Sequence, residues 1–240
     1  MSTTPSPSIL RPALRTIGAV CLVLGPLTFT VADLTSPDAS GTPGQLLRSL
    51  AGSGGAADAA IVASLASAIF FIAGMFLLLA RPLQRGQSLL AAGVGLALYA
   101  LLANTVLLGV NIAFVAMADP SLDGDQMTKL MGIIMSNPIA PVVLGGHLVL
   151  VAAFLLYGLG LSRAGIGPVW GAVCIALCGV VDAIGGMVSD AADTWAGLAS
   201  DTIMITGFAT MAWFLQREHR STPAPDNLEV PVTDRSAPSR

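Results

Sequence analysis

Six apolar stretches alternate with shorter polar segments along this chain, at about 14–34, 57–80, 88–117, 139–161, 168–189 and 196–215. A bilayer core of about 30 Å takes roughly 20 apolar residues in a helix that rises ~1.5 Å per residue, so each stretch is read as a transmembrane helix. The third is longer than a span requires and must tilt or project beyond the membrane. Gly25-Pro26 falls in the middle of the first, where a proline frees a backbone carbonyl and kinks the helix.

The polar segments are of two kinds. Arg81-Pro82-Leu83-Gln84-Arg85-Gly86-Gln87 and Ser162-Arg163-Ala164-Gly165-Ile166-Gly167 are tight, basic turns. Residues 35–56 form a longer loop rich in Ser, Gly, Pro and Asp, in which Leu46, Leu47 and Leu50 make one amphipathic turn on the membrane surface. After the turn at Asp119-Pro120, Met127, Leu130, Met131 and Ile134 repeat at i, i+3, i+4 and i+7, which gives a short helix one apolar face. Its simpler reading is a surface helix; its sharper one is a lid over an outer cavity.

Composition agrees with the pattern. Of 240 residues, 54% are hydrophobic and only 10% charged, where a soluble domain carries about 25% charged residues. The fold class is therefore an all-α integral membrane protein with six transmembrane helices in a bundle and short loops. Residues 14–215 form the membrane domain, and the Pro-rich ends, 1–13 and 216–240, form disordered tails. The first stretch follows positive charge but exceeds the roughly 7–15 residues of a signal-peptide core, so it is expected to be retained. The bias of Arg over Lys, with abundant Ala and Gly, suits a GC-rich bacterial genome.

Charge sets the expected orientation. With six spans, the tails and the two tight turns share one side, which holds Arg11, Arg15, Arg81, Arg85, Arg163, Arg217, Arg220, Arg235 and Arg240. The other side holds only Arg48 and Lys129. The positive-inside rule then puts both termini in the cytoplasm and the protein in the plasma membrane. Asp33, Asp38, Asp58, Asp119, Asp123, Asp125, Asp190, Asp193 and Asp201 fall at or near the outer face. Trp170, Trp195 and Trp213 lie near span ends, where interfacial aromatics anchor a helix.

Ionisable groups inside spans need a reason. His147 and Asp182 each lie about 10–12 Å in from the outer end of their spans, and Asn111 sits at nearly the same depth. Thr28, Thr30, Ser64, Ser67 and Thr206 share the layer. The functional reading is a polar cavity in the outer half of the bundle that binds a ligand or ion through Asp182, His147 and Asn111. The structural reading is interhelical hydrogen bonding, worth about 0.6 kcal/mol per contact, and for the Ser and Thr residues it is the better one. Cys174, Cys178 and Asp182 share a helix face, but they climb about 12 Å and do not converge on one metal ion. The glycines and alanine at 93, 95, 97, 158 and 160 read as close-packing positions.

No nucleophile elbow, zinc-protease pair, CxxC or phosphate loop is present, and no cofactor or metal is implied. An enzyme is not expected, because the acid–base groups are too few. The tail lacks the basic and aromatic runs that suit nucleic acid. The leading readings are a small transporter-like or ligand-binding protein, and a structural or accessory protein whose partners are membrane lipids, a second copy or another membrane protein; a membrane enzyme acting on a lipid ranks last.

Overall fold

The computed structural model describes residues 7–37, 41–79, 85–138, 146–188 and 190–221, and among these it is all-helical. The described residues form eight helices: α1 (Pro7–Thr35), α2 (Pro43–Gly52), α3 (Ala56–Leu79), α4 (Gln87–Met117), α5 (Gly124–Met135), α6 (Gly146–Ala164), α7 (Val169–Val188) and α8 (Asp190–Ser221). The segments 14–34, 57–80 and 88–117 correspond to α1, α3 and α4. The fourth stretch is helical from Gly146, and residues 139–145 lie outside the described ones. Helix α1 begins at Pro7, within the segment assigned to the N-terminal tail. Helix α8 runs on to Ser221, and the rest of the C-terminal tail lies outside the described residues.

Among the described residues, four regions are long and apolar enough to cross a membrane: Thr16–Thr35, Ala56–Leu79, Gln87–Met117 and Trp195–Arg217. Leu148–Ala164 and Val169–Gly185 are apolar but shorter. Large apolar side chains such as Val62, Ile69, Leu102, Val106, Leu148 and Val173 point outward and are exposed. Such a surface is compatible with a membrane location and costly in water.

Helices α1, α3, α4, α6, α7 and α8 form a ring in which each packs on the next and α8 returns to α1. The seams are narrow because small residues line them. A Cβ at Gly93 would stand 2.7 Å from the Tyr157 backbone nitrogen, and one at Gly160 2.7 Å from the Leu90 nitrogen, so α4 and α6 touch through their backbones. Gly158 makes the same kind of approach to Ala172 and Ala176 on α7. Gly95 departs from the sequence expectation. A Cβ placed there would meet nothing within 4 Å, because Gly95 sits two residues from Gly93 and so points away from the seam.

Aromatic side chains fill the ring. Phe71 of α3, Phe154 and Tyr157 of α6 and Phe208 of α8 pack with centroids 5.3–6.3 Å apart. Phe29 of α1 meets Phe71 edge to face. At Pro26 the helix continues without a break, and the adjacent Gly25 carbonyl accepts a hydrogen bond of 3.1 Å from the Ser67 hydroxyl of α3. The α6–α7 turn closes with Gly165 at φ 67° and the Ile166 N–H donating to the Leu161 carbonyl, a glycine-capped helix end.

The two amphipathic segments both become helices. Pro43 starts α2, where the Thr42 N–H donates to the Gln45 side-chain oxygen at 2.7 Å. Asp123 caps α5 by accepting from the Asp125 and Gln126 N–H groups. Both pack on the C-terminal end of α4, where Leu46, Leu47, Phe114 and Met131 form a second, smaller core.

Candidate functional site

A cavity of about 630 Å³ opens where α2 and α5 cover the N-terminal end of α3 and the C-terminal end of α4. Leu46 and Leu50 reach it from α2, Ile61 and Ser64 from α3, Val110 and Asn111 from α4, and Ile134 from α5. Each element places these residues by simple periodicity. Ile61 and Ser64 are three apart on α3, and Asn111, Phe114 and Val115 make one stripe on α4. The wall is mostly apolar, and its polar members are Ser36, Ser64, Asn111 and Asn137. Among the described residues, no carboxylate, histidine, cysteine or cation lines it.

A second cavity, of about 310 Å³, lies deeper, inside the ring. Ser64 and Leu107 line both, so the two are neighbours across that pair. Asn104 and Ser67 are among its few polar contacts, and Phe29, Phe71 and Phe154 wall it against the aromatic cluster. Asn104 and Asn111, two turns apart on one helix face, thus line the smaller and the larger cavity respectively.

Asp182 lies elsewhere. It stands on α7 among residues of α1 and α8. Asp182 Oδ1 and Asp33 Oδ2 each lie 3.9 Å from where a Gly197 Cβ would be. One turn further along α8 is Asp201, and both other carboxylates act on it electrostatically. Asp201 is only 5% exposed. The sequence placed Asp33 and Asp201 at or near the outer face, since each lies near a span end. In the structure Asp201 is buried where α1, α7 and α8 meet. Its helical window, in which it comes soon after Gly197 and Ser200, was the available signal. Ser200 ties the same seam by donating to the Cys178 carbonyl at 2.8 Å.

His147 is in the first turn of α6, and its side chain lies outside the described residues. The structure therefore assigns Asn111 and Asp182 to two different places. Among the hydroxyls of the expected polar layer, Thr28 and Thr206 bond back to carbonyls of their own helices, while Ser67 links two helices. Cys178 donates to the Ile175 carbonyl. Among the described residues no group of three His, Cys, Asp or Glu is arranged to hold a metal ion.

No protein-family model, curated protein or solved structure matches this chain.

Proposed function

We propose that this chain is a six-span membrane protein that holds an apolar or amphipathic small molecule, such as a lipid chain, in the cavity beneath α2 and α5. The observation that carries the reading is the cavity itself. It is large enough for part of a drug-sized or lipid-like ligand and mostly apolar, and it has few polar groups to orient one end. Binding is favoured over catalysis because the described wall carries no acid, base or activated nucleophile. In this reading the two shorter apolar helices, Leu148–Ala164 and Val169–Gly185, serve as the remaining two spans. Arginines clustered in the tight turns and tails favour cytoplasmic termini, which puts the cavity and its lid on the outer side of the plasma membrane. Helices α2 and α5 share one small core, so they are suited to move together as a lid.

A photoactivatable fatty acid tests this in lipid nanodiscs. After illumination, labelled residues are mapped by peptide fragmentation. Labels concentrated on Leu50, Ile61 and Val110, and reduced several-fold in Ser64→Trp, are the expected result. Labels confined to lipid-facing residues such as Val62, Ile69 and Leu102, unchanged in that variant, would refute it.

A further inference from the structure

Ala97, Asn104 and Asn111 fall seven residues apart on α4, so they share one helix face at steps of about 10 Å. Asn111 lines the larger cavity, Asn104 and Ala97 line the smaller, and Ser64 of α3 lines both. One wall therefore runs from the lid into the ring, polar at two levels and apolar at the third. The neighbouring hydroxyls are already occupied within the protein. Thr105 donates to the Leu101 carbonyl of its own helix, and Ser67 donates to the Gly25 carbonyl. The carboxamides of Asn104 and Asn111 make no hydrogen bond with another described residue. Asn104 faces Phe29, Phe71, Leu150 and Phe154 across the smaller cavity, and an amide in such company is costly unless something pairs with it.

Resting on the reading of a ligand beneath α2 and α5, we propose that the two cavities hold one elongated molecule, a single-chain amphiphile with a second, uncharged polar group within its chain. Its head group lies on the Asn111 side. A hydroxyl or keto oxygen about 10 Å further along pairs with Asn104, and the tail continues past Ala97 toward Met75. Among the described residues no charged side chain lines either cavity, so the group that reaches the smaller one is neutral. A carboxamide both donates and accepts, so it takes a hydroxyl or a carbonyl alike. A plain saturated chain fills the same volume but leaves Asn104 unpaired, and so binds more weakly.

Competition against the photoactivatable fatty acid in nanodiscs tests the proposal, with stearic acid and mid-chain hydroxystearic acid as the competitors. On the parent, the hydroxy acid should displace label from Leu50, Ile61 and Val110 at about fivefold lower concentration, the effect of one added hydrogen bond. In Asn104→Leu the order should reverse, because the hydroxyl then enters an apolar wall unpaired. That variant should melt no lower than the parent, since Asn104 pairs with no described residue. Should it fail to fold, Asn104→Ala serves in the same assay. Equal displacement by the two acids on the parent, or a preference that survives the loss of Asn104, overturns the proposal and leaves a plain-chain ligand in the larger cavity standing. A parent that takes no label at Leu50, Ile61 and Val110 overturns both readings.

Discussion

Phe71 of α3 and Phe208 of α8 meet edge to face, with ring centroids 5.3 Å apart and planes at 67°, although α1 stands between their helices in the ring. Two side chains reaching across a six-helix ring close its centre. The deeper cavity ends against this cluster at Phe71 and Phe154. Phe208 is fully buried, so Phe208→Ala removes packing on every side. In a membrane the transfer term is small, and the loss comes from contacts and the cavity left behind. A cost of about 2–4 kcal/mol follows, with a smaller one for Phe208→Leu. Thermal midpoints in one detergent measure both, and a Phe208→Ala variant that melts like the parent would show that the aromatic cluster is not a packed core.

Gly93 and Gly95 make a sharper pair, since only helix phase separates them. A methyl at 93 collides with the backbone of α6, at 2.7 Å from the Tyr157 nitrogen and 2.9 Å from its Cα. Gly93→Ala should therefore destabilise by about 1–3 kcal/mol through forced separation of α4 and α6. Gly95→Ala adds a methyl to open space and should be neutral or stabilising by up to ~1 kcal/mol. Equal effects at the two positions would place the α4–α6 seam on the wrong face.

Ser67 and Thr206 differ in what their hydroxyls join. Ser67 bonds the Gly25 carbonyl of another helix, whereas Thr206 bonds the Thr202 carbonyl of its own and is exposed. Ser67→Ala should cost about 0.6 kcal/mol and Thr206→Ala nearly nothing. Comparison of their unfolding midpoints decides the matter, and a larger loss for Thr206→Ala would contradict the assignment.

Asp119 ties the turn between α4 and α5 and lies outside the spans. The Ser121 hydroxyl and its N–H, the latter at 2.8 Å, hold the carboxyl below its ordinary value of 3.8. A carboxyl lowered on folding adds stability that is present above its unfolded value and lost as pH falls through the lower, folded one. Carbon NMR of selectively labelled aspartate should show Asp119 titrating below 3.8. In Ser121→Ala it should move back toward that value, because the larger of the two hydrogen-bond effects is removed. No movement in the variant would leave the hydroxyl without a role.

Orientation is tested by single cysteines placed at Pro120→Cys and Arg163→Cys, both exposed positions at opposite ends of the helices. A membrane-impermeant thiol reagent added to intact cells should label the first at least several-fold more than the second. Equal labelling would break the six-span arrangement.

The helices were legible in the sequence because each carries a one-dimensional signal. Leu46, Leu47 and Leu50 announced α2, and Met127, Met131 and Ile134 announced α5. Neither spacing revealed that the two helices share a core with Phe114, since that contact joins residues far apart in the chain. Asp182 stood out as a carboxylate within a span. Its companions did not, because Asp33 and Asp201 lie close to span ends, and distance along a helix says nothing about which face turns inward. The seam that buries Asp201 exists only because the last helix returns to the first. Asn111 was singled out for its depth and does line a cavity, but the apolar wall around it comes from five different segments. No local pattern encodes such a meeting.

Native mass spectrometry of the protein, released gently from its own membranes, tests the central claim most directly. One defined apolar or amphipathic molecule should remain bound to the parent and be lost from Ser64→Trp, with helicity by circular dichroism unchanged. A parent that carries no such molecule, or a folded Ser64→Trp variant that retains it fully, would contradict a ligand beneath α2 and α5.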